Sequence, residues 1–277
     1  MKHVLSLGYS PCPNDTFIFH ALVHALVPTP GFAVQERLED VESLNRLALD
    51  GILDLTKVSY HAFGHLRDRY ALLRSGGALG RGCGPLVVAA QPTSMAELRG
   101  RPIAIPGELT TANLLLQLYD EGYADVVPIP FDRIMPALHA GTAAAGVIIH
   151  ESRFTYRQQG FFEVQDLGAW WEKETGLPIP LGGILARRDL GAAAITSIDR
   201  AIRASLEYAF ARPEAARSYI REHAQELDDA VTAAHIGLYV NNFSLDLGAE
   251  GIRAVETLLA RAEARGLIPA CDLPLFI

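Results

Sequence analysis

Short apolar runs alternate along the chain with longer stretches that repeat at a helical period. Val4–Leu7, Phe32–Arg37, Leu53–Ser59 and Tyr70–Leu73 have the length and composition of strands. Between them, Phe17–Val27, Val41–Leu49 and Tyr60–Leu66 space their apolar residues as helices do. A second unit repeats the alternation. Ile103–Pro106, Val126–Pro130 and Gly146–His150 read as strands, with helices at Met95–Leu98, Ala112–Tyr119 and Arg133–Ala140. Helical pattern then dominates at Ser197–Phe210, Pro213–His223, Asp228–Tyr239 and Gly248–Ala264. Strands that alternate with helices predict an α/β fold with largely parallel sheets.

Two strand-to-helix corners stand out. Ser10-Pro11-Cys12-Pro13-Asn14-Asp15-Thr16 joins the first strand to the first helix. Its prolines fix φ and remove two donors, and Asn14 or Asp15 is a suitable N-cap. The other is Gly107-Glu108-Leu109-Thr110-Thr111, where either threonine can cap. Each corner reads either as a tight connection or as an anion site made by free backbone N–H groups. A helix terminus gives an anion ~0.3–1 kcal/mol, whereas micromolar binding needs about 8 kcal/mol. One corner is therefore insufficient, and two corners facing one ligand from separate lobes are expected.

The segments Leu49–Ser59 and His139–Ile149 share one grammar of helix end, glycine and strand, with Gly51 and Gly141 suited to helix C-termini. Gly84–Ala89 leads away from the first unit, and the similar Gly182–Ala186 leads back. Two related lobes joined by two crossover segments resemble the type II periplasmic-binding-protein fold, which holds small ligands in a central cleft. The expected division is residues 1–88 with 182–277 for the first lobe and 89–181 for the second.

Composition narrows the class. The 277 residues are 49% hydrophobic and 20% charged, with a formal net charge of −8. That balance, without a Lys/Arg run, argues against nucleic-acid binding. No stretch approaches the roughly 18 apolar residues of a membrane span. Lys2 and His3 precede only a short apolar run with no cleavage pattern, and three cysteines are sparse and odd in number. A cytoplasmic protein is expected.

His150 ends a buried strand, where ligands of open α/β sheets sit. It reads as a general base or as a hydrogen-bonded strand-end histidine. Lys57, Val58 and Ser59 end a strand in the first lobe and offer positive charge and a hydroxyl. His20/His24 and His61/His65 have metal-pair spacing, but neither pair has an obvious third ligand, and no metal is expected. Cys12 lies at a helix start, where a thiol pKa can fall, or simply shapes the turn. Glu151, Arg153, Tyr156 and Arg157 either line the site or face solvent. Phe161-Phe162 and Trp170-Trp171 read as core or hinge packing. There is no Walker A loop, dinucleotide fingerprint or nucleophile elbow.

Several motifs together resemble the 1,4-dihydroxy-6-naphthoate synthase family of the futalosine route to menaquinone. They are Ser10–Phe17, Thr56–Tyr60, Arg74–Gly80, Thr110–Ala112, His150–Tyr156 and Leu167–Trp171, and the resemblance spans essentially the whole chain. It implies a lyase that converts cyclic dehypoxanthinyl futalosine, a small-molecule carboxylate, to dihydroxynaphthoate and dihydroxyacetone without a cofactor. His150 matches the family's proton-accepting histidine. Lys57-Val58-Ser59 and Thr111-Ala112 match its substrate-contacting segments. Asn14 and Thr110 join the site on the helix-start argument alone. The sister enzyme chorismate dehydratase and a non-catalytic binding protein of the same fold are the alternatives.

Overall fold

The computed structural model describes residues 3–224 and 228–277; Lys2, read above with the N-terminal run, lies outside them. In chain order the strands are β1 (His3–Tyr9), β2 (Phe32–Leu38), β3 (Leu55–Ser59), β4 (Tyr70–Leu72), β5 (Ala78–Gly80), β6 (Leu86–Ala89), β7 (Ile103–Ile105), β8 (Val126–Pro128), β9 (Ala145–Ile148), β10 (Phe162–Asp166) and β11 (Ile179–Arg187). The α-helices are α1 (Pro13–Val23), α2 (Val41–Leu49), α3 (Tyr60–Gly64), α4 (Thr111–Tyr119), α5 (Ile134–His139), α6 (Ser152–Thr155), α7 (Leu167–Thr175), α8 (Ala192–Ala211), α9 (Arg217–His223), α10 (Asp229–Tyr239), α11 (Asn242–Leu245) and α12 (Gly248–Ala264).

Two sheets result. The first runs β2-β1-β3-β11-β4, with β5 paired to β11; the second runs β10-β6-β9-β7-β8. β1 is parallel to β2 and β3, and β7 is parallel to β8 and β9. The expectation of largely parallel sheets needs one correction. β11 is antiparallel to all three of its neighbours, and β6 is antiparallel to β9 and β10. Both are crossover strands: each enters from the other lobe rather than through a βαβ turn, so nothing imposes the parallel direction. The divisions at 88/89 and 181/182 fall inside these two strands, since β6 pairs in the second sheet and β11 in the first. At the first crossover two backbones meet. A Cβ on Gly84 would lie 2.3 Å from the Gly168 Cα, so no side chain fits.

The helix after the first corner is buried on nearly every side, from Pro13 to Leu22. An apolar helix with no solvent face must sit between layers. Ser205 of α8 ties it down, donating to the Ile18 carbonyl at 2.6 Å and accepting from the Leu22 amide at 3.1 Å. All five residues of β3 are buried, which suits a central strand covered on both faces. Gly51 and Gly141 both take φ +69 just beyond α2 and α5, a left-handed turn that glycine makes without strain.

The region of Phe161–Thr175 holds an edge strand and a helix that period alone did not separate. Asp166 caps α7 through the Gly168 and Ala169 amides, and Trp171 is fully buried with its indole N–H on the Pro178 carbonyl. One core cluster spans both lobes, joining Val58 and Tyr60 with Val87, Leu115 and Trp171, and a separate cluster lies in each lobe, around Leu7, Phe19 and Ile202 in the first and Val88, Ile134 and Ile148 in the second.

Candidate active site

The first corner is built differently from the reading of Asn14 or Asp15 as N-cap. Cys12 is the N-cap and Pro13 opens α1, so Asn14 and Asp15 fall in the first turn. The amides of Asp15 and Thr16 both donate to the Cys12 carbonyl at 3.1 Å. The Asp15 carboxylate accepts from Ser10 Oγ at 2.7 Å, the Ser10 amide at 3.2 Å, Asn14 Nδ2 at 2.8 Å and Lys57 Nζ at 3.1 Å. The anion at this helix start is thus the chain's own carboxylate. Lys57 is buried and spends a second N–H on the Gly76 carbonyl at 2.9 Å. Its charge is offset within the protein rather than held free for a ligand.

The second corner keeps its donors. Thr110 caps α4, accepting from the Asn113 amide at 3.2 Å while its hydroxyl donates to the Gly107 carbonyl at 2.8 Å. The Thr111 and Ala112 amides have no intrahelical acceptor at such a position. The Thr111 hydroxyl donates to the Leu181 carbonyl at 2.6 Å, which ties α4 to β11 across the lobes. Ser59 accepts from Asn45 Nδ2 at 3.3 Å, so its own proton remains available to donate.

His150 follows β9 with φ +55, a left-handed conformation uncommon for a residue with a side chain. The residue as a whole is half-buried. Its Nδ1 lies 3.9 Å from Cys12 Sγ, and Phe131 meets it edge-on at 5.1 Å. Burial lowers its pKa below the ordinary value, partly opposed by the carboxylates of Glu151, Asp15 and Asp40. The burial favours the neutral imidazole, the form that can accept a proton. Burial, with Glu151 adding to it, pushes the Cys12 thiol far up, so the helix start does not activate it.

These groups surround one cavity of about 730 Å³ of atom-free space, its mouth included. Asn14, Lys57, Val58, Ser59, Thr110, Thr111, Ala112 and His150 all line it, although they come from both lobes. The lobes touch around it. Arg46 pairs with Glu108 at 3.1 Å, and the Leu109 amide donates to Glu42 at 3.2 Å. Other candidates do not reach the cavity. Arg153 pairs with Asp166 at 2.8 Å and donates to the Gly84 carbonyl, clamping the crossover, while Tyr156 and Arg157 bind Glu163. Among the described residues no group of three or more His, Cys, Asp or Glu is placed to hold a metal.

His235 of α10 escaped the sequence reading. It is 1% exposed and stacks on His150 with ring centres 6.2 Å apart. Its Nε2 lies 2.9 Å from Asn14 Oδ1. A polar residue inside a largely apolar helical run, a trait it shares with Thr232, was the only signal available.

A family model described as menaquinone biosynthesis matches residues 5–264. The chain belongs to that menaquinone biosynthesis family. Its relatives include proteins named 1,4-dihydroxy-6-naphtoate synthase. That of Thermus thermophilus is 58% identical over 273 residues, covering 99% of both chains. That of Streptomyces coelicolor is 50% identical over 271 residues, covering 96% of this chain and 95% of its own. The resemblance read from the motifs is thus borne out: the chain is a menaquinone-biosynthesis enzyme of the 1,4-dihydroxy-6-naphthoate synthase family. A crystal structure of a protein from Archaeoglobus fulgidus superposes with a TM-score of 0.90 at 37% identity, covering 96% of this chain and 99% of that one. The alkanesulfonate-binding protein of Xanthomonas axonopodis, bound to MOPS, gives 0.72 at 16% identity, covering 96% and 94%. The periplasmic-binding-protein-like fold of this menaquinone-biosynthesis enzyme is as expected. Among the described residues no helix is long and apolar enough to cross a membrane.

Proposed function

We propose that this enzyme is a lyase that cleaves cyclic dehypoxanthinyl futalosine to 1,4-dihydroxy-6-naphthoate and dihydroxyacetone, with His150 as the proton acceptor. The observation that carries the proposal is His150 itself. An imidazole whose burial favours the neutral form is held in a left-handed backbone conformation at the edge of a cavity enclosed by both lobes. Strain of this kind costs about 1–3 kcal/mol and collects at functional sites. The tautomer with its proton on Nδ1, beside the Cys12 sulfur at 3.9 Å, is the one that leaves the Nε2 lone pair as the base.

The substrate carboxylate is received by the Thr111 and Ala112 amides at the start of α4, where the helix dipole favours negative charge. Ser59 donates to a substrate oxygen. Lys57 and Val58 line the floor, with the lysine balanced by Asp15. Asn14 and Thr110 shape the site through their bonds to His235 and to α4. Once His150 has taken a proton, the carbon–carbon bond to the three-carbon fragment breaks, and formation of the aromatic ring draws the reaction forward. The partner is a small molecule and not a nucleic acid, and the three free cysteines suit a reducing cytoplasm.

The test is product analysis. The purified protein with cyclic dehypoxanthinyl futalosine should release both products, detected by mass spectrometry. A positioned base contributes about 10²–10⁴-fold, so His150→Asn should lose that much in kcat while circular dichroism stays unchanged. Near-normal turnover by the variant would remove His150 from the role. Dehydration of chorismate, or tight binding of the futalosine derivative without products, would replace the reaction itself.

A further inference from the structure

Behind His150 lies a second acid–base pair that the reaction outlined above leaves unused. Asn14 Nδ2 donates to Asp15, which turns Asn14 Oδ1 toward His235. The His235 nitrogen facing that oxygen, Nε2, must therefore carry a hydrogen. In the neutral ring Nδ1 is then an acceptor. It points at another acceptor, Glu151 Oε2, at 3.9 Å. Among the described residues neither atom has a hydrogen-bond partner, and His235 is 1% exposed. Two buried acceptors facing each other are costly unless a proton comes between them or a positive charge forms close by. His150 is covalently next to Glu151 and stacked on His235, so a positive charge on it forms close to the pair.

The pair also spans the cleft. His235 and Asn14 belong to elements packed with the first sheet, whereas Glu151 and His150 follow β9 of the second. We propose that Glu151 and His235 are positioning residues for His150. Glu151 supplies the anion beside the imidazolium that forms when His150 takes a proton, and His235, held by Asn14, meets it only when the lobes are together. The proton removed from the substrate then resides on His150, with its charge balanced by Glu151, until it is returned.

Other groups face this cluster. Asp15 comes from α1, already paired with Lys57, and Asp40 from the loop before α2. Cys12 and Tyr239 are neutral, both pushed up by burial, and Arg153 is held by Asp166. All of these remain in the variants below, so a change on altering Glu151 belongs to Glu151.

The proposal rests on His150 being the base, and its test separates the two questions. The ring titration of His150 is followed by NMR in the free wild-type protein and in Glu151→Gln, without substrate. Loss of the carboxylate should move the titration to lower pH by about half a unit or more. The acid limb of kcat should follow it, with kcat down about three- to tenfold and KM within about twofold. His235→Gln keeps a donor within reach of Asn14 and should retain most of kcat, whereas His235→Phe should lose it. An unmoved His150 titration in Glu151→Gln overturns the proposal, as does equal kcat in the two His235 variants. If His235→Phe does not fold, the Glu151→Gln titration decides alone. An active His150→Asn would instead sink the base assignment and leave the titration result standing.

Discussion

Lys57 shows how one residue can look like a ligand-binding cation and serve another role. Its ammonium is buried between the Asp15 carboxylate at 3.1 Å and the Gly76 carbonyl at 2.9 Å. Removing one partner of a buried pair typically costs about 3–5 kcal/mol, because the other charge is left uncompensated. Lys57→Met should therefore lower the unfolding free energy by about that amount in chemical denaturation. Adding Asp15→Asn to the same background should recover part of the loss, since the stranded charge is then removed. A loss below about 1 kcal/mol would mean the pair behaves like a surface bridge. His150 was legible from its position at a strand end. The pairing of Lys57 was not, because Asp15 lies 42 residues away, where it read as a helix cap and Lys57 as a charge free for a ligand.

Two helix starts were expected to act alike, and the elements divide the work instead. At α1 the Asp15 and Thr16 amides are spent on the Cys12 carbonyl, and the carboxylate of Asp15 occupies the corner. At α4, Thr110 takes one donor and leaves those of Thr111 and Ala112 beside the cavity. Thr110→Ala should destabilise the protein by about 1 kcal/mol, within the 0.5–2 kcal/mol usual for an N-cap. Thr110→Ser should restore most of it. Because α4 carries the proposed carboxylate site, the alanine variant should also raise KM, measured beside the denaturation midpoint. No change in either quantity would show that α4 is held by packing alone. The sequence offered Thr110 or Thr111 as the cap, and the structure makes it Thr110. The difference between the corners depends on where Asp15 points, which rotamer and neighbours decide.

For the whole molecule, buried histidines set the response to acid. Burial brings His61 down to about 4 and His235 to about 3, and it lowers His150, His20 and His65 as well. In the unfolded chain each histidine binds a proton near pH 6.5. Between about 6.5 and 4 the unfolded state therefore holds more protons than the folded one, and stability rises with pH through that window. The thermal midpoint should fall steadily from pH 7.5 to 5, before most carboxylates titrate. A midpoint flat over that range would mean these histidines protonate in place. The same interior links the lobes, since the bonds from Thr111 to Leu181 and from the Leu109 amide to Glu42 cross the cleft.

By itself the sequence determined what depends on near neighbours. Periodicity marked most strands and helices, glycines marked the ends of α2 and α5, and the Thr110-Thr111 pair marked the start of α4 without saying which of the two caps it. Motifs spread along the chain were enough for the family and, with the helix-start argument, for eight of the residues that line the cavity, but not for others such as Leu44, Leu181 and Tyr239. The tertiary structure alone decided the antiparallel entry of β6 and β11, the withdrawal of Lys57 into an ion pair, and the place of His235. His235 meets Asn14 across 221 residues of chain. Its one local mark is a polar side chain in a largely apolar helix, which does not say what that side chain will meet. Such contacts form only when packing brings distant elements together, because the free energy that selects them comes from burial and hydrogen bonding shared between elements rather than from the propensities of either one.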